Sequence, residues 1–264
     1  MLGPALFVFV FTLEGWLRPG YDTCSMFVSE LSLGPRGWVQ ISNFVVVGLL
    51  FLTFARGVAR ELPSASRAST GPILLTILGF CFIGSGPFVM DPVSTPRAAW
   101  CGHGTMHQLL GALAFSLMPV SCFIFWRRFG ADPSWQPLRR WTLAACAATL
   151  ASIVLMKLGL GDPVVPPGPL RAWVGLLQRS ALVCYLAWVF GFARQLSLRA
   201  RPVNNAGSYI TQTTTDVNKP DSWENSTYTG GARVTITDLQ AGTLYWARIC
   251  AIGSAGPGAW SEAV

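Results

Sequence analysis

Six long apolar stretches constrain this chain more than any other feature of its sequence. They cover residues 2–17, 38–57, 71–90, 105–126, 140–160 and 173–193. A membrane-spanning helix needs about 20 mostly apolar residues. Because lipid cannot satisfy backbone hydrogen bonds or open sheet edges, such stretches must be helical. We therefore predict an all-α polytopic bundle of six transmembrane helices over residues 1–201.

The composition agrees with a membrane protein and separates the chain into two parts. Hydrophobic residues make up 52% of the chain and charged residues 12%, against about 25% charged residues in an average soluble domain. Residues 1–201 carry 16 Lys and Arg against 7 Asp and Glu, whereas residues 202–264 carry 3 against 5. These values argue against a soluble enzyme and a disordered protein. The basic excess indicates membrane topology and a bilayer partner rather than nucleic-acid binding.

The arginines in the short loops predict the orientation of the bundle. Ten arginines lie on one side of the bundle: between spans two and three, between spans four and five, or after span six. They are Arg56, Arg60, Arg67, Arg127, Arg128, Arg139, Arg140, Arg194, Arg199 and Arg201. Four lie on the opposite side, namely Arg18, Arg36, Arg97 and Arg171. The positive-inside rule then places both termini in the cytoplasm and loops 18–37, 91–104 and 161–172 outside. The first span lacks a basic lead-in and a small-residue cleavage site, so we interpret it as a short membrane helix or as part of a longer N-terminal region.

Several polar residues fall within or next to the predicted membrane spans. An ionisable group in the bilayer centre costs about 2.5–3.5 kcal/mol of insertion free energy. The predicted topology brings a polar cluster to the outer face, namely Glu14, Glu30, Asp91, His107 and Arg179. One interpretation is structural: Arg179 pairs with Glu14 or Asp91, Asp91 caps a helix end and Lys157 reaches the interface. The other is a polar pocket for a small molecule, lipid or ion.

An enzymatic interpretation rests on residue types alone. Ser29, Asp91 and His107 are the types that a membrane-embedded hydrolase needs. His103 and His107, four residues apart, are weak candidates for a metal site with Asp91 or Glu30. The glycines around His103 predict that the helix starts near Thr105 and leaves His103 in a loop. Phosphate-binding and serine-elbow motifs are absent, so we predict no cofactor and favour a non-enzymatic protein.

Two cysteines lie in predicted outer loops. Cys24 and Cys101 are positioned to join these loops by a disulfide if the outside is oxidising. Four others fall within the spans and are expected to be packing residues, namely Cys81, Cys122, Cys146 and Cys184.

Four ordered motifs resemble one family of membrane proteins. They are S-E-L-x-L-G-x-x-G-W from Ser29, G-x-F-x-x-D-P ending at Pro92, T-x-H at Thr105 and Q-R at Gln178. Over residues 3–198 the chain resembles prokaryotic membrane proteins of domain-of-unknown-function family 998. The resemblance implies a six-helix protein of the prokaryotic plasma membrane and no established activity. That family does not normally carry the tail that follows here.

The tail, residues 207–264 after a linker at 202–206, has a different pattern. Alternating stretches predict β-strands over residues 232–238 and 245–251. Leu239, Gly242 and Tyr245 resemble the tyrosine corner of fibronectin type III domains, although Ala241 stands where that family usually has Pro. The segment is an incomplete all-β module without the family's first strands. It is either a fusion or gene-boundary artefact, or an adhesion or interaction module for a protein partner.

Overall fold

The computed structural model describes residues 2–61, 70–93, 95–131, 135–160, 168–197, 206–229, 236, 239–240, 242–254 and 256–264. They belong to two compact units, Met1–Ser197 and Leu198–Val264. The first unit is helical and the second is a β-sheet.

The described residues of the first unit form six α-helices, which confirms the predicted bundle. They are α1 Leu2–Leu17, α2 Gly37–Glu61, α3 Thr70–Ser85, α4 Gly102–Gly130, α5 Gln136–Leu160 and α6 Val174–Ser197. Short 3₁₀ turns at Val28–Ser32, Arg97–Ala99 and Pro169–Trp173 lie in the connections. Within the described part of the chain, four helices are long and apolar enough to cross a membrane, with α6 counted from Pro169. α1 and α3 have 16 residues each, or about 24 Å of helix against a hydrocarbon core of about 30 Å.

At two helix ends the difference from the sequence prediction has an identifiable local cause. α3 ends at Ser85 rather than at residue 90, because Gly86 precedes Pro87 and the residue before a proline disfavours the helical conformation. α4 begins at Gly102 rather than near Thr105, because Cys101 is extended and its Sγ accepts the Gly104 N–H at 3.3 Å. The expectation that His103 lies in a loop is therefore wrong, since His103 is in the first turn of α4.

The helices pack through aromatic rings, small residues and buried polar contacts. Phe125, Trp188 and Phe192 pack between α4 and α6 in tilted and edge-to-face arrangements, with ring centroids 4.9–5.7 Å apart. The Trp188 indole donates to Thr142 Oγ1 at 2.9 Å and so joins α6 to α5. At Gly48 in α2, an added Cβ would lie 2.6 Å from the carbonyl oxygen of Gly79 in α3. Such close backbone approach is typical of membrane helices, whose association depends on packing and hydrogen bonds.

The second unit holds one antiparallel sheet of four strands in the order β2-β1-β3-β4. The strands are β1 Ser208–Thr214, β2 Glu224–Thr229, β3 Trp246–Gly253 and β4 Gly256–Trp260. β3 confirms the strand predicted over residues 245–251. The strand predicted over residues 232–238 lies outside the described residues except for Ile236, which is in neither a helix nor a strand.

The residues of the proposed tyrosine corner include one hydrogen bond from the preceding backbone to Tyr245. The Tyr245 hydroxyl accepts the backbone N–H of Gln240 at 3.3 Å, and Gly242 turns the chain between them with a φ of 81°. Leu239 is exposed. An antiparallel sheet agrees with the fibronectin type III resemblance at the level of β class, and the specific family stays a prediction.

Candidate functional site

The connection between α1 and α2, here called loop 1 (residues 18–36), lies against the first turns of α6. The Leu176 N–H donates to the Cys24 carbonyl at 2.9 Å, and Gln178 Oε1 accepts the Val28 N–H at 2.7 Å. At Gly175 an added Cβ would lie 2.8 Å from Met26 N and 2.9 Å from Cys24 O. Only glycine at position 175 therefore allows loop 1 to pack this closely against the start of α6.

Arg179 is the centre of this contact. It is 8% exposed, and its Nη1 donates to the carbonyls of Thr23 and Met26 at 2.8 Å each and to Gly175 O at 3.0 Å. Its Nη2 donates to the Tyr21 hydroxyl, and its guanidinium lies 5.4 Å from the centre of the Tyr21 ring. The predicted pairing of Arg179 with Glu14 or Asp91 is wrong. Backbone oxygens satisfy this buried cation, whose planar group has five N–H donors.

Tyr21 was not singled out by the sequence analysis. Its hydroxyl donates to Phe27 O at 2.8 Å while it accepts from Arg179. Burial raises the pKa of Tyr21 above its ordinary value, against the opposing effect of the Arg179 charge. The phenol is therefore neutral and keeps the proton that it donates. Its only sequence signal was an aromatic hydroxyl next to a Pro-Gly turn.

A second group holds the start of loop 1. Glu14 of α1 is 3% exposed and accepts from Arg18 at 3.0 Å and from Arg36 at 2.7 Å. Arg18 also donates to Leu33 O at 2.8 Å. Arg18 and Arg36 thus bring both ends of loop 1 to one carboxylate. In the sequence these two arginines are topology signals, and only the fold reveals that they share Glu14 as a partner.

Two further carboxylates shape loop 1 internally. Glu30 Oε1 accepts the Phe27 N–H at 2.7 Å and caps the 3₁₀ turn that follows. Burial raises the pKa of Glu30, although the Phe27 N–H and the charges of Arg179 and Arg171 act in the opposite direction. Hydrogen bonds from the Ser25 hydroxyl and then from the Cys24 N–H lower the pKa of Asp22.

Asp91, His103 and His107 lie where α3 gives way to α4. Asp91 Oδ2 accepts the Cys101 N–H at 3.0 Å and so lies at the start of α4, where Cys101 itself is the cap. His107 is buried, with Nδ1 2.7 Å from Phe88 O. His103 Nδ1 lies 3.3 Å from Pro87 O. Both imidazoles therefore face backbone carbonyls of the α3–α4 connection.

These contacts count against the hydrolase arrangement. Among the described residues no hydrogen bond joins any two of Ser29, Asp91 and His107. The same part of the chain contains no group of three His, Cys, Asp or Glu residues suited to a metal ion. The predicted disulfide is also wrong, since Cys24 and Cys101 are both free thiols that lie in separate contacts with α6 and α4.

A cavity of about 450 Å³ lies between α4 and α5 beneath loop 1. Its polar lining residues are Ser29, His107, Gln108, Ser116, Lys157 and Gln178. The rest of the lining is mostly apolar and includes Phe115, Val120, Leu150 and Ile153. Of the predicted polar cluster, His107 alone lines this cavity. Glu14, Glu30, Asp91 and Arg179 instead hold loop 1 and the helix ends in place. Ser116 carries no signal in the sequence that would connect it with this cavity.

Comparisons with known proteins address the first unit only. The family model described as a protein of unknown function (DUF998) matches residues 1–195. No curated protein and no solved structure matches the chain.

Proposed function

The chain belongs to the DUF998 family of proteins of unknown function, and from this premise we propose that it is a membrane-embedded binding protein for a small amphipathic molecule. The observation that carries this proposal is the cavity between α4 and α5. Ligand sites typically measure about 300–1,000 Å³, are largely apolar, contain a few polar groups and occur between the helices of bundles. A volume of about 450 Å³ with this lining fits that description.

The distribution of the lining favours a molecule with a polar head and an apolar body. His107 lies in the second turn of α4 and Lys157 in the last turn of α5, so both mark the same end of the cavity. Val120 lies 13 residues further along α4 than His107, or about 20 Å at the helical rise. The apolar part of the cavity therefore runs toward the middle of the bilayer, where an alkyl body is favoured.

Charge favours an anionic head. Lys157 is the one charged side chain among the described lining residues, and no carboxylate lines the cavity there to oppose it. A carboxylate or phosphate is therefore the favoured head group. The positive-inside rule predicts that this end of the cavity faces the outside of a prokaryotic plasma membrane, so we expect the molecule to enter from that side or from the outer leaflet.

Binding of dansyl-labelled undecanoic acid to the full chain in lipid nanodiscs tests this proposal by fluorescence. Gly111 lines the cavity, and an added Cβ there meets nothing within 4 Å. Gly111→Phe should fill the cavity and weaken binding by roughly tenfold or more, and Lys157→Gln should weaken it less.

Gly102→Phe is the matched control, because Gly102 also has open space beside it but does not line the cavity. It should bind the probe as the unchanged protein does. Equal binding by the Gly111 and Gly102 variants would overturn the proposal.

A further inference from the structure

Gln178 is a buried amide that uses only half of its hydrogen-bonding capacity within the protein. It lies in the second turn of α6 and is 7% exposed. Its Oε1 accepts the Val28 N–H of loop 1 at 2.7 Å. Because a backbone N–H can only donate, this contact fixes which side of the amide carries the oxygen. Within the described part of the chain the Nε2 makes no hydrogen bond, so a buried NH₂ group is left with two free donors.

The cavity between α4 and α5 provides the space for a partner. Gln178 lines it together with Lys157 of α5. The two helices meet at this end, since an added Cβ at Gly159 would lie 2.8 Å from Val174 Cγ1. A buried donor without a partner costs free energy, so native proteins pair such groups with protein atoms, water or a ligand. The Nε2 of Gln178 is therefore available to a molecule held in the cavity.

Two neighbouring lining groups offer donors as well. The Ser29 hydroxyl and the Lys157 ammonium make no hydrogen bond or ion pair with any described residue. His107 differs, because its Nδ1 already donates to Phe88 O at 2.7 Å. A hydroxyl, an amide NH₂ and an ammonium thus line the same end of the cavity. Together they suit a head group that accepts several hydrogen bonds and carries negative charge.

The charge of the lining narrows the head group further. Lys157 supplies one positive charge, and no other described lining residue is charged. A carboxylate carries one negative charge, whereas a phosphate monoester carries about 1.5 to 2 near neutral pH. Uncompensated charge is costly in apolar surroundings. On the basis of the proposed function, we propose that the ligand is a long-chain carboxylic acid whose carboxylate lies between Lys157 and the Nε2 of Gln178, with Gln178 as the residue that determines head-group specificity.

Gln178→Glu separates the two roles of this side chain. The new carboxylate still accepts the Val28 N–H, but it has no donor and repels an anionic head group. In lipid nanodiscs the variant should bind dansyl-labelled undecanoic acid at least tenfold more weakly than the unchanged chain. Gln195→Glu is the matched control, since it makes the same change on the same helix about 26 Å away and does not line the cavity. It should bind the probe as the unchanged chain does.

Displacement of the probe tests the choice of head group. Dodecanoic acid and dodecyl phosphate have the same alkyl chain, and the acid should displace the probe at roughly tenfold lower concentration. Ser29→Ala removes only a hydroxyl and should weaken probe binding by roughly threefold. This variant and the displacement decide the matter if Gln178→Glu does not fold.

Equal probe binding by the Gln178 and Gln195 variants would overturn the inference and would mean that water alone satisfies the Nε2. Equal displacement by the acid and the phosphate would also overturn it. In either case Gly111→Phe would still weaken probe binding relative to Gly102→Phe. Failure of the proposed function itself has a different signature, because those two glycine variants would then bind the probe equally.

Discussion

The helical unit and the β unit differ in the surroundings that their large apolar side chains are exposed to. In the helical unit large apolar side chains such as Phe9 and Leu109 are more than half exposed, and lipid accepts them. In the β unit Leu244 is 73% and Val264 82% exposed, although apolar surface of this kind is usually buried from water. In the first unit, therefore, the buried polar residues are the positions that need a structural explanation. In the second unit, the exposed apolar residues are.

Two arginines illustrate the difference. Arg179 in the helical unit is buried among backbone carbonyls and a tyrosine. Arg248 in the β unit lies between the rings of Trp223 and Trp260, with its guanidinium carbon 4.1 and 4.7 Å from the ring centres, and donates twice to Gln212. The first organises the backbone of loop 1 against the start of α6. The second adds to a sheet that backbone pairing already defines.

The largest expected effect is therefore at Arg179. Arg179→Ala should lower the free energy of unfolding by about 3 kcal/mol, because several carbonyls and Tyr21 lose a charged donor. Arg179→Lys should not restore it, since one ammonium group cannot replace the planar fork. Thermal unfolding in detergent measures both, with Arg60→Ala as the exposed control. An unchanged melting temperature for Arg179→Ala would contradict its role as the centre of the loop 1 contact.

The next effect concerns the approach of loop 1 to α6. Gly175→Ala should cost about 2 kcal/mol, because its Cβ would collide with backbone atoms of Cys24 and Met26 that cannot move independently. Gly111→Ala provides the matched control, as its Cβ meets open space. The same melting experiment distinguishes them, and equal melting temperatures would show that loop 1 does not require this contact.

A smaller effect is expected in the β unit. Arg248→Ala should destabilise the sheet by about 1 kcal/mol through loss of the tryptophan and Gln212 contacts. Limited proteolysis of the full chain, followed by mass spectrometry, should show faster cleavage within residues 206–264 and unchanged cleavage of the helical unit. Cleavage at the rate of the unchanged protein would mean that backbone pairing alone maintains the sheet.

The same proteolysis bears on the predicted interaction role of the β unit. An unchanged chain already cleaved throughout this unit would remove the adhesion interpretation. Resequencing the locus across residues 195–215 addresses the alternative of a gene-boundary artefact, because a frame or assembly break there would separate the two units.

The smallest expected effect is a pH dependence at Glu30. The pKa of Glu30 is raised in the folded protein, so its contribution to stability is present below the ordinary glutamate range and is lost as the pH rises through the raised value. Glu30→Gln should therefore stabilise the helical unit slightly at neutral pH and not in acid, because the amide still accepts the Phe27 N–H. Melting temperatures measured at both pH values check this, and an identical change at both would contradict it.

Much of the architecture was predictable from the sequence because lipid makes hydropathy informative. Twenty-residue apolar stretches have one stable form in a bilayer, so the six helices and the change at the tail were predictable. Helix ends were less so. Cys101 caps α4 through its sulfur, a role that the two glycines around His103 obscured.

The polar residues were identifiable in advance, but their partners were not. Glu14 and Arg179 were identifiable because a charged side chain costs free energy in lipid. The sequence contains several residues of opposite charge, however, and it does not tell which of them is the partner. The fold assigns Glu14 to Arg18 and Arg36 and Arg179 to the carbonyls of loop 1. Backbone carbonyls are present at every position and leave no mark in the residue pattern, so only the path of the chain in space reveals which of them a buried cation meets.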